Sequence, residues 1–378
     1  MENNNSVCFV AQINEIKPIK DADNIELGII GGWNCIIKKG EYKIGDLVIC
    51  ATTDAVIPQD LSDKMNVTNY LRKGQRVRTV KLKGNYSECL IIPFKYTNTL
   101  TKNKLKIGDD VMDILGIFKY EPPVKNIQLA SGKKVRYHEN PSFVVYYKFP
   151  NIKNVPSMFN DGDLVQITCK IHGTNARYGI VKKNKLTFWD KLKKFIGIAD
   201  KWIGYDYIYG SHNVEKGSDS QGFYSTDVWR TVAEKYKIRE KLWNYVKENY
   251  TPENIGTGII IYGEIFGPGI QKNYDYGLKD IEFAGFDYTV DNQYQITKLT
   301  EIFFEILLKL PHVPILNVCK WSQQEQDKWV INSFINGTKI PHEGIVIKSI
   351  LGERNKIAKV INPDYTIWSE KHDVGDSH

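Results

Sequence analysis

No apolar run in the 378 residues approaches the ~20 needed to cross a bilayer as a helix, so no spanning segment is expected. The polar start Met1-Glu2-Asn3-Asn4-Asn5-Ser6 lacks the apolar core of a signal peptide. Cysteine is sparse: six residues (8, 35, 50, 89, 169 and 319), none in Cys-x-x-Cys spacing and most inside apolar runs. That pattern argues against a structural zinc and for reduced, buried thiols. These absences lead us to expect an intracellular protein, in the cytoplasm or that of a host cell, with no membrane partner. A strong charge of one sign is missing too. The 51 basic and 44 acidic residues leave +7, which is compatible with a nucleic-acid partner without arguing for one. No internal repeat or low-complexity tract is present. What remains is ordinary for a globular chain, 25% charged and 42% hydrophobic, and long enough for two domains with proper cores.

Residues 7–120 read as short strands punctuated by Gly and Pro: Val7–Ile13, Trp33–Lys38, Asp46–Ala51, Val77–Leu82 and Cys89–Pro93. Strands at this spacing predict a small closed barrel, and an OB-like barrel fits the length. Basic residues are dense here: Lys38, Lys39, Lys43, Arg72, Lys73, Arg76, Arg78, Lys81 and Lys83. They read either as solvated rims or as a surface that tracks phosphates. For Trp33 we expect a core role rather than base stacking. Residues 121–141 are rich in Pro, Gly and Lys, a linker composition. The domains expected are therefore 1–120, a 121–141 linker, and 142–378.

In the second half, strands alternate with helices, which predicts an α+β domain of antiparallel sheets flanked by helices. The segment from Thr187 to Ile203 places apolar residues 188, 189, 192, 195, 196, 199, 202 and 203 on one helical face with lysines opposite. A basic amphipathic helix can lie on a membrane surface; we expect instead that it packs on its own domain, lysines toward solvent or RNA. Val228–Tyr250 has helical spacing and reads as solvated. Leu299–Leu310 and Trp321–Ile335 read as packing helices, and the tail beyond Trp368 as frayed.

The apolar run Leu164–Cys169 reads as a buried strand that delivers Lys170 to a Gly-containing turn. Alone, such a lysine is a solvated turn residue. Two glutamates, Glu264 and Glu343, follow at strand ends beside glycines, where a surface salt bridge is the ordinary role. Phe286 reads as core packing. A lysine that acts as a nucleophile must lose its proton. Moving it from a pKa near ~10.4 to about 7 asks roughly 4–5 kcal/mol of its surroundings.

Four segments change this reading. Lys170-Ile171-His172-Gly173-Thr174-Asn175, Tyr262–Gly267, Glu343-Gly344-Ile345-Val346-Ile347-Lys348 and Lys356–Val360 resemble, in order, motifs I, III, IV and V of the covalent nucleotidyltransferases, the superfamily of polynucleotide ligases and capping enzymes. Phe283–Tyr288 resembles their motif IIIa. The resemblance covers the last two-thirds of the chain. Independently, Ile16–Asp46 and Gly74–Gly84 look like the N-terminal OB module of the ATP-dependent RNA ligase family 5.

This resemblance implies an OB-like barrel followed by a nucleotidyltransferase domain, and an ATP-dependent RNA ligase joining 3′-OH to 5′-phosphate through lysyl-AMP. Lys170 would carry AMP, Glu264 would bind the ribose and Phe286 would stack on adenine. Glu343 would serve Mg²⁺ or Mn²⁺. Lys348, Lys356 and Lys359 would meet phosphates, with Lys359 the firmer of the two motif V choices. His172 and Asn175 match the RNA-ligase form of motif I, in which the asparagine helps seal the ends. Where relatives carry arginines, this chain has Lys148 and Lys153 before motif I and His212 in the motif Ia region. The implied partner is RNA or an RNA/DNA nicked duplex, acted on by a monomer. A DNA ligase or capping-type transferase is the near alternative, opposed by His172 and by the barrel's N-terminal position. A catalytically dead nucleic-acid-binding protein is the other, opposed by the intact lysines and glutamates.

Overall fold

The computed structural model describes residues 6–72, 74–97, 105–120, 140–212, 214–218, 222–223, 227–331, 340–353, 355–372 and 374. The expected linker at 121–141 thus falls almost wholly outside the described residues, as does Lys73; of the tail expected to fray beyond Trp368, residues 369–371 instead close a helix, Pro363–Lys371, and 373 and 375–378 lie outside the described residues. The chain divides into two compact units. One comprises Met1–Pro123, Pro150–Phe159 and Val360–Lys371; the other comprises Val124–Phe149, Asn160–Lys359 and His372–His378.

The first unit is built on β1 (Cys8–Pro18), β2 (Ile25–Ile30), β3 (Trp33–Lys38) and β4 (Leu47–Thr52). Two short strands follow, β5 (Ala55–Val56) and β6 (Val80–Leu82). Then come β7 (Asn85–Ser87), β8 (Cys89–Ile92) and β9 (Phe118–Lys119). The main sheet runs β3-β2-β1-β4-β8 and is antiparallel. β1 serves two partners. Cys8–Gln12 pairs with β4, Ile13–Pro18 pairs with β2, and a register shift between Ile13 and Glu15 bends the strand between them. That bend curls a flat sheet toward a barrel, as the expected OB-like architecture requires.

Trp33 is a core residue, and its Nε1 donates to Asn154 Oδ1 at 3.1 Å. This contact explains why 150–159 belongs with the barrel. Gly32 allows it, because a Cβ there would lie 2.5 Å from the Lys153 Cα. A second addition is the helix Pro363–Lys371, whose Asp364 meets Lys81 at 3.3 Å and Glu370 meets Arg72 at 4.0 Å. Arg76 pairs with Asp54. The dense basic set is therefore partly compensated by acids, a feature that linear charge density does not reveal.

The second unit holds β10 (Leu164–Lys170), β11 (Thr174–Lys182), β12 (Tyr205–Gly210) and β13 (Glu215–Ser218). They are followed by β14 (Gly222–Phe223), β15 (Gly258–Phe266), β16 (Glu282–Val290) and β17 (Gln293–Tyr294). Last come β18 (Ile315–Lys320), β19 (Gly344–Ser349) and β20 (Ile357–Ile361). They form a seven-stranded sheet, β14-β13-β12-β11-β15-β16-β17, and a four-stranded sheet, β18-β10-β19-β20. The larger core lies on the seven-stranded sheet, where Tyr178, Ile180, Ile259 and Ile261 meet helix residues Trp229, Val232, Leu242 and Val246.

Three helical expectations need correction. Val228–Tyr250 is two helices, Val228–Lys235 and Ile238–Asn249, broken at Lys237 in the left-handed region (φ 52°), and one face is core rather than solvated. Leu299–Leu310 begins as an α-helix, Thr297–Glu301, then widens to a π-helix, Ile302–Leu307. It seats Phe304 directly over Gly285, where a Cβ would collide with the ring. Most importantly, the amphipathic segment after Thr187 is helical only over Phe188–Phe195, and its apolar face points outward. Phe188, Trp189 and Phe195 are 73, 67 and 88% exposed. The reason is local. Asp190 closes a capping box with Thr187 and pairs with Lys183 at 2.9 Å, so the face opposite the apolar arc is the one tied to the body. The helix Trp321–Ile335 is observed over Gln323–Ile331, and 332–339 lie outside the described residues.

Candidate active site

β10 is an inner strand, paired with β18 and β19 along its two edges and buried from Val165 to Cys169, and Lys170 at its end is half-buried. Lys170 pairs in register with Gly344, which puts the preceding Glu343 beside the amine. Lys170 Nζ lies 2.6 Å from Glu343 Oε2, and His172 Nδ1 lies 3.6 Å from the same oxygen. Burial pushes the Glu343 carboxyl upward, but the Lys170 charge and the His172 contact outweigh it and hold the group at about 2. The two residues just before this pair also touch: Cys169 Sγ is 3.2 Å from His342 Nδ1.

The short turn 171–173 carries the chain from the four-stranded sheet to β11 of the seven-stranded one. β11 pairs with β15 so that Asn175 faces Glu264 across the ladder. Gly173 is what allows the approach. A Cβ there would fall on the Ile265 carbonyl oxygen and lie 2.9 Å from Glu264 Cγ. Glu264 is the counterpart of Glu343 with the opposite perturbation. Burial pushes it up to about 8, with Lys170 opposing and Glu343 adding to the rise. At neutral pH the site therefore holds one ionised and one predominantly protonated carboxyl group, both within the field of one lysine. Asn175 Oδ1 is buried with no hydrogen-bond partner. An orphaned buried acceptor is costly unless a ligand donor meets it, which fits a nucleotide-binding site.

Phe286 packs with Ala284 and Val313 against Ile171, the residue that follows the lysine, and its ring meets Tyr146 edge-on at 5.0 Å. Lys348 is buried. It donates to the Phe286 carbonyl at 2.8 Å and lies 3.4 Å from Asp287 Oδ2, which also accepts from Tyr146 OH at 2.9 Å. In register, Gln166 opposes Lys348 and Lys170 opposes Gly344, so strand alternation places Lys348 on the sheet face of Lys170, four positions away.

The two motif V lysines separate. Lys356 pairs with Asp163 at 2.8 Å, and its carbonyl accepts from Ser349 N at the far end of β19. That is five residues, about 17 Å of strand, from Gly344. Lys359 lies inside β20, three residues nearer. The structure thus gathers Lys170, His172, Asn175, Glu264, Phe286, Glu343 and Lys348, leaves Lys356 apart, and leaves Lys359 on the outermost strand of the same sheet.

Sequence reasoning missed the segment that holds the lysine turn. Gln271 Nε2 donates to the Gly173 carbonyl at 2.6 Å, Tyr276 OH accepts from the His172 amide at 2.6 Å, and the Tyr274 ring lies edge-on to His172 at 5.4 Å. The one available signal is the Tyr274-Asp275-Tyr276-Gly277 turn. Among the described residues, no cluster of three or more His, Cys, Asp or Glu could hold a metal by itself. A divalent ion here would draw on one or two carboxylates, with phosphate and water completing the shell, as Mg²⁺ commonly does.

A curled five-stranded N-terminal barrel, followed by antiparallel sheets that bring a strand-end lysine between two carboxylates, defines the class of OB-domain nucleic-acid ligases. Comparison agrees at each half. A family model described as OB-fold domain matches residues 7–94, and one described as RNA ligase matches residues 163–361. The second spans more than half of the chain, and the chain belongs to the RNA ligase family. No curated protein matches. Among solved structures, a Naegleria gruberi RNA ligase mutant with ATP and Mn is 24% identical with a TM-score of 0.70, covering 97% of this chain and 99% of that one. The same organism's RNA ligase with PPi gives 24% and 0.69 over 97% and 99%. An apo mutant of its RNA ligase gives 25% and 0.70 over 97% and 98%.

Proposed function

We propose that this chain is an ATP-dependent RNA ligase that seals 3′-OH to 5′-phosphate ends through an AMP adduct on Lys170, acting on nicked duplexes as a monomer. The observation that carries this reading is the placement of Lys170 Nζ at 2.6 Å from Glu343, with Glu264 and Asn175 delivered to the same turn by Gly173. Support also comes from the Naegleria gruberi RNA ligase structures with ATP and Mn, with PPi, and with AMP and Mn.

The unprotonated Lys170 amine attacks the α-phosphorus of ATP. A P–N bond forms, the bond to the β-phosphate oxygen breaks, pyrophosphate leaves, and the amine proton passes to solvent. AMP then moves to the RNA 5′-phosphate, and attack by the 3′-OH expels it. The Glu343 contact fixes where the amine sits before attack, and such positioning supplies much of the catalysis in phosphoryl transfer. Glu264, predominantly protonated, can donate to one ribose oxygen while accepting from another group. Phe286 offers a ring beside the lysine turn for the adenine. Glu343 is the carboxylate that fits Mg²⁺ or Mn²⁺, an ion that supplies charge neutralisation on the phosphates. Lys359, rather than Lys356, is the motif V cation in this reading. In this reading residues 1–120 supply the RNA-binding barrel and residues 142–378 the transferase, although Pro150–Phe159 and Val360–Lys371 pack in the barrel's unit.

The test is incubation with α-labelled ATP and Mg²⁺ or Mn²⁺, followed by end-joining on nicked duplexes with ribose or deoxyribose at each terminus. Covalent label that disappears in Lys170→Ala, with sealing that requires ribose, supports the reading. Label that persists in that variant overturns the lysine assignment, and efficient sealing of all-deoxyribose nicks favours a DNA ligase.

A further inference from the structure

The exposed helix Phe188–Phe195 carries a feature that RNA joining does not use. At 100° per residue, Phe188, Trp189, Leu192, Phe195 and Ile196 fall within an arc of roughly 120°, and Lys191 and Lys193 lie roughly 40° beyond its two edges. Lys194 and Asp190 occupy the opposite side. Asp190 is the one carboxylate of the helix, and it is buried against Lys183. The outward surface is thus an aromatic and aliphatic stripe bracketed by ammonium groups, with no acid to offset them. Ile198, also exposed, lies beyond the helix after Gly197 (φ 75°). The capping box and the Asp190–Lys183 pair hold the helix in this orientation without any partner.

We propose that this helix is a docking surface for an anionic lipid membrane, lying in the headgroup plane without crossing it. Lysines at the edges of an apolar arc extend toward phosphate headgroups while Trp and Phe enter the acyl boundary, the arrangement of interfacial helices. Charge complementarity selects the anionic surface. A second copy of the chain would bring the same lysines against one another. The helix is also short, about 12 Å long and roughly 10 Å across, so its footprint is far below the ~800 Å² that each partner of a stable protein interface buries. Lipid needs no such area, because each side chain partitions by itself. Leu192, Ile196 and Ile198 offer nothing to bases, which sets the surface apart from a stacking platform for RNA. Peripheral binding of this kind departs from the sequence-based expectation of no membrane partner. No helix among the described residues is long and apolar enough to cross a bilayer.

The test uses the full chain in co-sedimentation with phosphatidylcholine vesicles, with and without phosphatidylserine. Binding is expected on the phosphatidylserine vesicles and should weaken with salt. Each lysine near an anionic surface is worth about fivefold in affinity, so Lys191→Gln and Lys193→Gln together should cost about 25-fold. Phe188→Ser, Trp189→Ser and Phe195→Ser together should cost at least tenfold, with an unchanged circular dichroism spectrum and melting temperature because these side chains are already exposed. Absence of vesicle binding overturns the proposal, as does equal binding to neutral vesicles or binding that survives the serine triple. Light scattering that shows a dimer lost in the serine triple would make the occupant a second copy. A selective loss of RNA affinity in that triple would make it nucleic acid.

Discussion

Gly173→Ala isolates the contact on which the candidate site depends. The substitution adds one methyl group, and its Cβ would fall on the backbone oxygen of Ile265, near the end of β15, and 2.9 Å from Glu264 Cγ. A flexible side chain would swing away; the carbonyl of a strand paired with β11 on one side and β16 on the other yields less readily. The turn and β15 must therefore part by about 1 Å, and overpacking of this kind costs about 1–3 kcal/mol. For a unit of this size the melting temperature should fall by roughly 2–4 °C per kcal/mol. The chemical effect should be larger in proportion. Lys170 lies three residues from the shifted position and Glu264 is the atom displaced, and a misplacement of about 1 Å costs on the order of 10²-fold in rate. Single-turnover formation of the labelled adduct at saturating ATP measures that loss, with thermal unfolding alongside. A variant that unfolds at the parent temperature and labels at the parent rate would refute the close-approach argument and the assignment of Glu264 to the site.

Other expectations follow from the same geometry. Glu343→Ala removes the carboxylate nearest the lysine, and adenylylation across a Mg²⁺ and Mn²⁺ titration should fall by at least ~10²-fold; near-parent rates would make this glutamate structural. Glu264 is raised from 4.5 to about 8, so the folded state binds its proton more tightly than the unfolded state. The parent should lose stability as pH rises through that window, by on the order of a few kcal/mol, and Glu264→Gln should flatten the slope in melting measurements from pH 5 to 9. Lys356→Ala should leave adenylylation within about twofold, since it breaks only a solvent-screened pair with Asp163 away from the lysine turn. Lys359→Ala should slow it by an order of magnitude or more, and parallel rate measurements decide between the two lysines.

The strand that carries Lys170 was legible because Leu164–Cys169 is a largely apolar stretch that alternates at strand period, with Gln166 and Thr168 between Val165, Ile167 and Cys169. The meeting of Lys170 with Glu343 was legible only through resemblance, since no periodicity predicts that β10 pairs with a strand more than 170 residues on. Spacing left Lys356 and Lys359 unresolved, because a hairpin's register decides which lysine nears Gly344. The amphipathic stripe after Thr187 was visible in sequence, whereas its direction was not. Hydrophobic periodicity shows that a helix has two faces, and the Asp190–Lys183 pair decides which one turns inward. Gln271, Tyr274 and Tyr276 were missed because their contacts, two to backbone and one ring to ring, run across about a hundred residues and leave no local pattern.

The pair between Lys81 and Asp364 joins residues 283 apart within a single unit. During synthesis at ~5–20 residues per second, Asp364 reaches the ribosome roughly 15–60 s after Lys81. For that interval the nascent barrel carries Arg72 and Lys81 without the Pro363–Lys371 helix that meets them. Its basic flank is then open to polyanions, the ribosome's own RNA among them. Closure of the helix onto Lys81 and Arg72 ends that exposure, which makes the barrel the first unit to begin folding and among the last to finish.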